Sequence, residues 1–259
     1  MTILRILLES LVLLKSQPKL FLPKIIVAFL FGAALLLTAQ LFLKGPLTQA
    51  LSPNYNFCSE LDCVTFIAET LLLLVFISII IIIDIFTNAM YPAMVRDFFN
   101  KKKISFRSAF GSLKGKKIKI FLSIILIELL LWLPFVLLAE VLIFTNNKLF
   151  LYLFIVVFLV IYLALATIFY FAYPVLVIGE NFFLKMFSEA FRMSHGKGSK
   201  IIVFSFLPFF ISILSFLLAF LARDPGFLLL FILVRFLMAL LQTYHMVLNP
   251  SIFLKYSEL

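Results

Sequence analysis

The chain has 259 residues, of which 64% are hydrophobic and only 13% are charged, whereas soluble proteins average about 45–50% apolar and about 25% charged residues. This composition excludes an ordinary soluble enzyme and predicts an all-α, polytopic membrane protein whose residues 1–259 form a single integral membrane domain. The 22 lysines and arginines exceed the 12 acidic residues by ten. Because these bases lie in short loops between apolar segments, they favour a role in topology and lipid contact over nucleic-acid binding.

The N-terminal segment, residues 1–19, predicts an amphipathic helix that lies in the membrane interface. Arg5 and Glu9 are one helical turn apart on its polar side. Because Glu9 interrupts the apolar stretch and no A-x-A cleavage pattern is present, we expect this segment to be retained and not removed as a signal peptide.

Six apolar segments are long enough to cross about 30 Å of hydrocarbon as helices. Three of them contain long charge-free stretches, and the apolar parts of the other three carry isolated charges, which are Glu69 and Asp84, Glu128 and Glu140, and Arg235. We predict transmembrane helices at 20–43, 64–95, 117–145, 149–178, 199–222 and 226–249.

The basic residues are distributed unevenly between the two sides of these six spans. Eighteen of the 22 fall on the side that holds both termini, and nine of those lie within 96–119. The positive-inside rule makes this side cytoplasmic. We therefore expect a multi-pass protein of a prokaryotic plasma membrane with both termini in the cytoplasm.

The longest external loop, 44–63, contains both cysteines of the chain, Cys58 and Cys63. Their spacing and the lack of a nearby histidine argue against a zinc site. A local disulfide is plausible if the loop faces an oxidising exterior.

Two cytoplasmic loops predict further interfacial amphipathic helices, at 103–115 and 182–195. In the first, apolar residues recur at i, i+3, i+4 and i+7, and in the second a similar apolar face repeats. The apolar positions are Phe106, Ala109, Phe110 and Leu113 in the first helix, and Phe183, Met186, Phe187, Ala190 and Phe191 in the second.

The basic residues around these two helices are predicted to contact anionic lipid headgroups, each contributing about 1 kcal/mol near the surface. They are Lys101, Lys102, Lys103, Arg107, Lys114, Lys116, Lys117, Lys119, Arg192, Lys197 and Lys200.

An internal repeat is visible at an offset of about 80 residues. Tyr91-Pro92 matches Tyr173-Pro174, and each pair precedes an interfacial helix, a glycine-containing turn and an outward span. Asn249-Pro250, at the end of the last span, suggests a third copy that is split across the termini. Because proline removes a backbone donor and disfavours helix at the preceding residue, we expect each span to turn into the interface at its proline. Three such hairpins would surround a pseudo-threefold axis along the membrane normal.

A short motif around the second copy has a counterpart in a known family. It consists of Tyr173-Pro174-Val175, Glu180, Glu189-Ala190-Phe191 and 194–197. The chain thereby resembles the six-span family that contains the membrane domain of glycerophosphoryl diester phosphodiesterases and related uncharacterised bacterial and archaeal membrane proteins. In that family the enzymatic activity belongs to a separate soluble domain, so the resemblance implies a membrane domain without that activity.

Polar residues inside the spans indicate where an intramembrane site could lie. Asp84 and Asn88 form a stripe with Tyr91 on the second span, and Tyr244 and His245 reach a similar depth on the last one. This cluster could be a protonation site, because a partly buried His or Asp can titrate near neutral pH, or it could be an interhelical hydrogen-bond network.

Two further charges, Glu128 and Arg235, are predicted near the midplane. A single charge there costs at least about 2.5 kcal/mol, so both should face the bundle interior, where an ion pair between them is the natural arrangement. Such a pair would either line a substrate or ion pathway or fix the register of the helices.

No catalytic set, metal-binding motif or cofactor motif is recognisable. The sequence therefore favours a non-enzymatic membrane scaffold or accessory module that binds lipid, or an unidentified membrane-protein partner, through its basic cytoplasmic loops. The alternative is a small transporter or channel with a polar path past Asp84, Glu128 and Arg235. A membrane-embedded enzyme acting on lipid headgroups is a third hypothesis.

Overall fold

The structure is a computed structural model that describes residues 3–44, 60–144, 148–195 and 225–257. These residues are all-helical and contain no β-strand, which confirms the predicted fold class at this level. The α-helices are α1 Ile3–Ser16, α2 Leu22–Lys44, α3 Glu60–Phe99, α4 Phe106–Ser112, α5 Lys117–Phe144, α6 Lys148–Ile168, α7 Ala172–Val177, α8 Leu184–Ser194 and α9 Pro225–Ser257. Short 3-10 segments at Pro18–Phe21 and Phe169–Phe171 precede α2 and α7.

Four stretches of the described residues are long and apolar enough to cross a membrane. They coincide with the first, second, fourth and sixth predicted spans and cover Pro18–Gln40, Ile67–Phe99, Leu159–Val177 and Gly226–Lys255. The third predicted span, 117–145, is helical over Lys117–Phe144, and the fifth, 199–222, lies outside the described residues. Four membrane-spanning helices are therefore supported, and a total of six stays a prediction.

The described residues divide into two compact units. The first unit takes its residues from 1–16, 85–207 and 244–259, and the second from 17–84 and 208–243. The boundaries between the units thus fall within α3 and α9. Each unit is described by itself below.

In the first unit, α8 packs against the 3-10 segment Phe169–Phe171 and against α7, and α5 packs against α6. Met186, Ala190 and Ser194, four residues apart, form the buried stripe of α8. The Ser194 hydroxyl donates to the carbonyl of Thr167 at 3.0 Å. The helix α8 is therefore attached to the end of α6.

In the second unit, α2 and α9 pack together through small and apolar side chains. Ala39, Phe231 and Val234 form a buried cluster, and Leu35 and Leu36 pack against it. This contact brings Arg235 of α9 against the backbone of α2.

The prolines do not turn the spans in the way that the sequence suggests. Pro92 lies inside α3, which continues to Phe99, and Pro250 lies inside α9, which continues to Ser257. The expectation of a break at these two prolines is wrong. Tyr91, next to Pro92, and Leu248, two residues before Pro250, are fully buried, so both helices continue in well-packed surroundings although proline costs about 3 kcal/mol in a helix interior. At Pro174, by contrast, a 3-10 segment precedes the short helix α7.

Candidate functional site

A buried ion pair joins α2 and α3 in the second unit. The Lys24 ammonium donates to the Asp84 carboxylate at 2.6 Å, and the Lys24 and Asp84 side chains are 2% and 25% exposed. Sequence reasoning selected Asp84 but missed Lys24, because Lys24 follows a basic segment and was counted among the topology-setting charges. Its position inside the predicted span 20–43 is the signal that could have identified it, since an ionised group there needs a partner.

Arg235 is the second buried cation of this unit, and its side chain is 4% exposed. Its Nε and Nη2 groups both donate to the carbonyl oxygen of Ala28, at 2.9 and 2.5 Å, and Nη1 donates to the sulfur of Met238 at 3.3 Å. The guanidinium is therefore fixed against the backbone of α2 by neutral acceptors.

Small residues on α2 allow this close approach. A Cβ atom placed on Gly32 would lie 3.4 Å from Arg235 Nε, which leaves little room for a larger side chain. Lys24, Ala28 and Gly32 are spaced by four residues and therefore lie on one face of α2. This face of α2 thus carries one buried cation, Lys24, and contacts a second one, Arg235 of α9.

The predicted pair of Glu128 and Arg235 stays a prediction, because Glu128 belongs to the first unit and Arg235 to the second. The side chain of Glu128 is exposed, and its charge acts on Tyr162 of the same unit. The predicted contact of Asp84 with Tyr244 and His245 would also join a residue of the second unit to residues of the first, and it stays a prediction.

Within the first unit, three of the predicted polar residues have contacts of their own. The Tyr244 hydroxyl donates to the carbonyl of Leu7 at 3.4 Å, and the His245 ring lies edge-on to Tyr170, with 5.2 Å between ring centroids. Asn88 donates to the Tyr173 hydroxyl at 3.4 Å. The predicted residues Asn88, Tyr244 and His245 therefore have contacts that involve α1, α3, α7, α9 and the 3-10 segment Phe169–Phe171.

An asparagine compensates for the proline at the end of the fourth predicted span. Pro174 has no N–H, so the carbonyl of Tyr170, four residues earlier, lacks its usual helical donor. The Asn249 amide donates to this carbonyl. Asn249 precedes Pro250, so two of the three proline segments that the repeat analysis singled out are in direct contact.

A basic surface in the first unit extends from the end of α3 to the start of α5 and onto α8. The predicted lipid contacts that are exposed on it are Lys101, Lys102, Lys103, Arg107, Lys114, Lys119 and Arg192, and Lys185 of α8 is an eighth exposed base. Lys116 and Lys117 are half-buried, and the remaining predicted contacts, Lys197 and Lys200, lie outside the described residues.

Two acidic residues lie on this basic surface and each takes one base. Lys116 donates to Glu180 at 2.5 Å, and Arg192 donates to Glu189 at 2.8 Å. The hydrogen bond and positive charge of Lys116, with a smaller contribution from Arg96, lower the pKa of the Glu180 carboxyl. Eight exposed bases against these two carboxylates and the half-buried Asp97 leave the basic surface strongly positive.

Large apolar side chains are exposed among these bases. They are Phe110, Ile118, Phe183, Leu184 and Phe191, and Ile118 and Leu184 are 75% and 80% exposed. The Lys117 ammonium lies 3.8 Å from the centroid of the Phe110 ring. Exposed aromatic and aliphatic groups beside lysines and arginines are typical of surfaces that enter the headgroup region of a membrane.

The backbone holds one of these apolar groups in a strained conformation. Phe183 has a φ of 51° and a ψ of −131°, a region that L-residues rarely adopt. Its N–H donates to the hydroxyl of Ser123, which is fully buried in α5. This contact fixes the turn into α8.

A third group of charges links the two termini of the first unit. Glu9 accepts from Arg5 at 3.1 Å, as their spacing on α1 indicates, and also pairs with Lys255 of α9. The Lys255 ammonium also lies 5.2 Å from the centroid of the Phe99 ring.

In the described part of the chain, no three His, Cys, Asp or Glu residues lie close enough together to hold a metal ion. The predicted disulfide between Cys58 and Cys63 lies outside the residues whose side chains are described.

No protein-family model matches this chain, and no curated protein and no solved structure matches it either. The resemblance to the membrane domain of glycerophosphoryl diester phosphodiesterases therefore stays a prediction from its short motif. The basic surface of the first unit and the buried charges of the second unit are the features that bear on function.

Proposed function

We propose that this protein is a non-enzymatic multi-pass membrane protein that binds anionic lipid headgroups through its basic surface. The observation that carries the proposal is the mixture of eight exposed bases with exposed phenylalanine, leucine and isoleucine side chains on one unit. The bases attract anionic headgroups, and the apolar groups enter the acyl boundary beside them.

The topology that belongs to this proposal has six spans, with α1, α4 and α8 as interfacial amphipathic helices on the cytoplasmic side of a prokaryotic plasma membrane. The four supported spans, together with 117–145 and 199–222, make an even number, so both termini share one side. The buried stripes of α1, α4 and α8 are consistent with this arrangement. They are Ile6, Ser10 and Leu13 in α1, Ala109 and Leu113 at α4, and Met186, Ala190 and Ser194 in α8.

The lipid proposal is tested with the full-length protein in nanodiscs that contain equal amounts of phosphatidylcholine and phosphatidylglycerol. Native mass spectrometry after release measures which lipids stay bound. We expect enrichment of phosphatidylglycerol. Replacing Lys101, Lys102 and Lys103 by glutamine should reduce that enrichment by up to about a hundredfold, at about 1 kcal/mol per base.

A matched control removes the same charge elsewhere. Arg5, Lys15 and Lys19 are exposed and lie outside the basic surface, and replacing them by glutamine should reduce the enrichment much less, because Arg5 is already paired with Glu9 and the three bases have no exposed apolar cluster of the basic surface beside them. Equal effects of the two triple variants would show that net charge alone attracts the lipid and would overturn the proposal. A co-purifying protein in place of lipid would point to the partner-binding alternative.

The transporter or channel alternative is favoured by the buried charges of the second unit. Lys24, Asp84 and Arg235 lie in segments that are long enough to span a membrane, and ionised groups at such depth commonly mark substrate or ion pathways. Single cysteines at Asp84, Glu128 and Arg235, in a chain without Cys58 and Cys63, would be treated with membrane-impermeant thiol reagents. Labelling at these positions supports a hydrated path, and dry positions beside a reactive control at Lys103 exclude it.

A further inference from the structure

The buried charges described in the second unit do not sum to zero. Lys24 and Arg235 are two cations with side chains only 2% and 4% exposed, whereas Asp84 supplies one anion. Among the described side chains of this unit, no further carboxylate pairs with Lys24 or Arg235. The Ala28 carbonyl compensates Arg235 in part, but the set Lys24, Asp84 and Arg235 still carries one excess positive charge, which a counter-anion would stabilise.

The donor inventory of Arg235 shows where a counter-charge can bind. A guanidinium has five N–H groups. The Nε–H group and one N–H of Nη2 donate to the Ala28 carbonyl, and one N–H of Nη1 donates to the Met238 sulfur. One N–H remains on each of Nη1 and Nη2, and two such donors are what a carboxylate or phosphate accepts in a bidentate pair.

We infer that Arg235 binds a monovalent oxyanion, a carboxylate or a phosphate group, through these two remaining N–H groups. One such anion neutralises the excess charge of the set Lys24, Asp84 and Arg235. The site is preorganised, because the Ala28 carbonyl fixes the guanidinium and Gly32 leaves space for it. The site is separate from the basic surface of the first unit, and the inference does not depend on the lipid proposal.

The depth of Arg235 favours a soluble anion over a lipid headgroup. Nine residues separate Arg235 from Gly226, where the spanning segment begins, and this corresponds to about 14 Å at 1.5 Å per residue. Lipid phosphates lie at the interface and not at this depth. The class of ligand is therefore a small carboxylate or phosphomonoanion, and a lipid phosphate is the second source of the same chemistry.

Equilibrium dialysis of the full-length protein in a neutral detergent tests the site, with radiolabelled acetate and inorganic phosphate as probes. Chloride keeps the ionic strength constant, and a slightly acidic buffer keeps phosphate mainly monovalent. We expect saturable binding of one ion per chain. Arg235→Gln should weaken it about tenfold or more, whereas Arg5→Gln, the same substitution at an exposed arginine of the first unit, should not.

The two sources are separated by measuring binding before and after delipidation. Binding to protein that still carries its lipid indicates a soluble anion, and binding only after delipidation indicates a lipid phosphate; both results support the oxyanion site. Arg235→Lys serves as a second variant if Arg235→Gln does not fold, because it keeps the charge but loses the bidentate geometry and should also bind more weakly.

Three results would overturn the inference. The first is no saturable binding of either probe by the wild-type protein. The second is equal binding by wild type and both Arg235 variants. The third is binding that appears only in Glu128→Gln, which would show that Glu128 supplies the counter-charge from within the protein.

Discussion

At the scale of single residues, the ion pair between Lys24 and Asp84 is asymmetric. The lysine is almost completely buried, whereas a quarter of the aspartate side chain is exposed. Removal of one partner leaves the other charge inside the protein, and for buried pairs this costs about 3–5 kcal/mol. The exposure of each partner therefore determines which single substitution is more harmful.

We predict that Asp84→Asn destabilises the protein more than Lys24→Met, because it leaves the more deeply buried charge without its partner. The double variant should recover most of the loss, since it leaves no unpaired charge. The melting temperature in detergent, followed by size-exclusion chromatography, measures all three variants. Strictly additive losses in the double variant would show that the two residues are not coupled.

At the scale of elements, the effect of a proline on its helix depends on whether another residue supplies the hydrogen bond that the proline cannot donate. Pro92 and Pro250 are accommodated within long helices, whereas Pro174 follows a 3-10 segment. At Pro174, the carbonyl of Tyr170 has no donor from the proline, and the Asn249 amide of α9 donates to it instead.

We predict that Asn249→Leu destabilises the protein by about 1–3 kcal/mol, because the buried carbonyl of Tyr170 loses its donor. Pro174→Ala supplies a backbone N–H four residues after that carbonyl. The combination of the two substitutions should therefore cost less than Asn249→Leu alone. Thermal unfolding of the single and double variants tests this, and an unchanged loss in the double variant would contradict it.

The ion pair between Lys116, just before α5, and Glu180, in the loop after α7, predicts a dependence of stability on pH. Since Lys116 lowers the pKa of the Glu180 carboxyl, the pair stabilises the folded state above the unfolded-state pKa of the carboxyl. This contribution is lost as the pH falls through the lowered, folded-state value. We expect Lys116→Gln to raise the pKa of Glu180 toward its ordinary range.

A carbon-13 NMR titration of the Glu180 carboxyl measures this change. Lys114→Gln is the matched control, because Lys114 is exposed on the same surface and is not among the groups that lower this pKa. An unchanged titration in Lys116→Gln would show that the pair does not persist in solution.

At the scale of the whole molecule, the two units carry different kinds of charge. The first unit presents an exposed basic surface, and the second buries Lys24 and Arg235 within spanning segments. The exposed charges are suited to the membrane surface, whereas the buried charges require a specific partner. The two proposals therefore concern different parts of the chain and can fail independently.

We predict that both termini and the basic surface lie on the same side of the membrane. Cysteines introduced at Thr2, Lys103 and Ser257, in a chain without native cysteines, should react with an impermeant reagent only after the inner side is made accessible. A cysteine at Asn54 should react from the outside. Opposite labelling of Thr2 and Ser257 would require an odd number of spans and would overturn the six-span topology.

The sequence by itself determined the features that depend on local composition and periodicity. Long apolar stretches identified the first, second, fourth and sixth spans, and the helical spacing of apolar residues located α1, α4 and α8, because both patterns act within a few turns of helix. Only the tertiary structure decided which charges meet. Lys24 and Asp84 are 60 residues apart, and Arg235 and Ala28 are 207 residues apart. Such contacts depend on which helices pack together and in what register, and neither composition nor periodicity specifies that pairing.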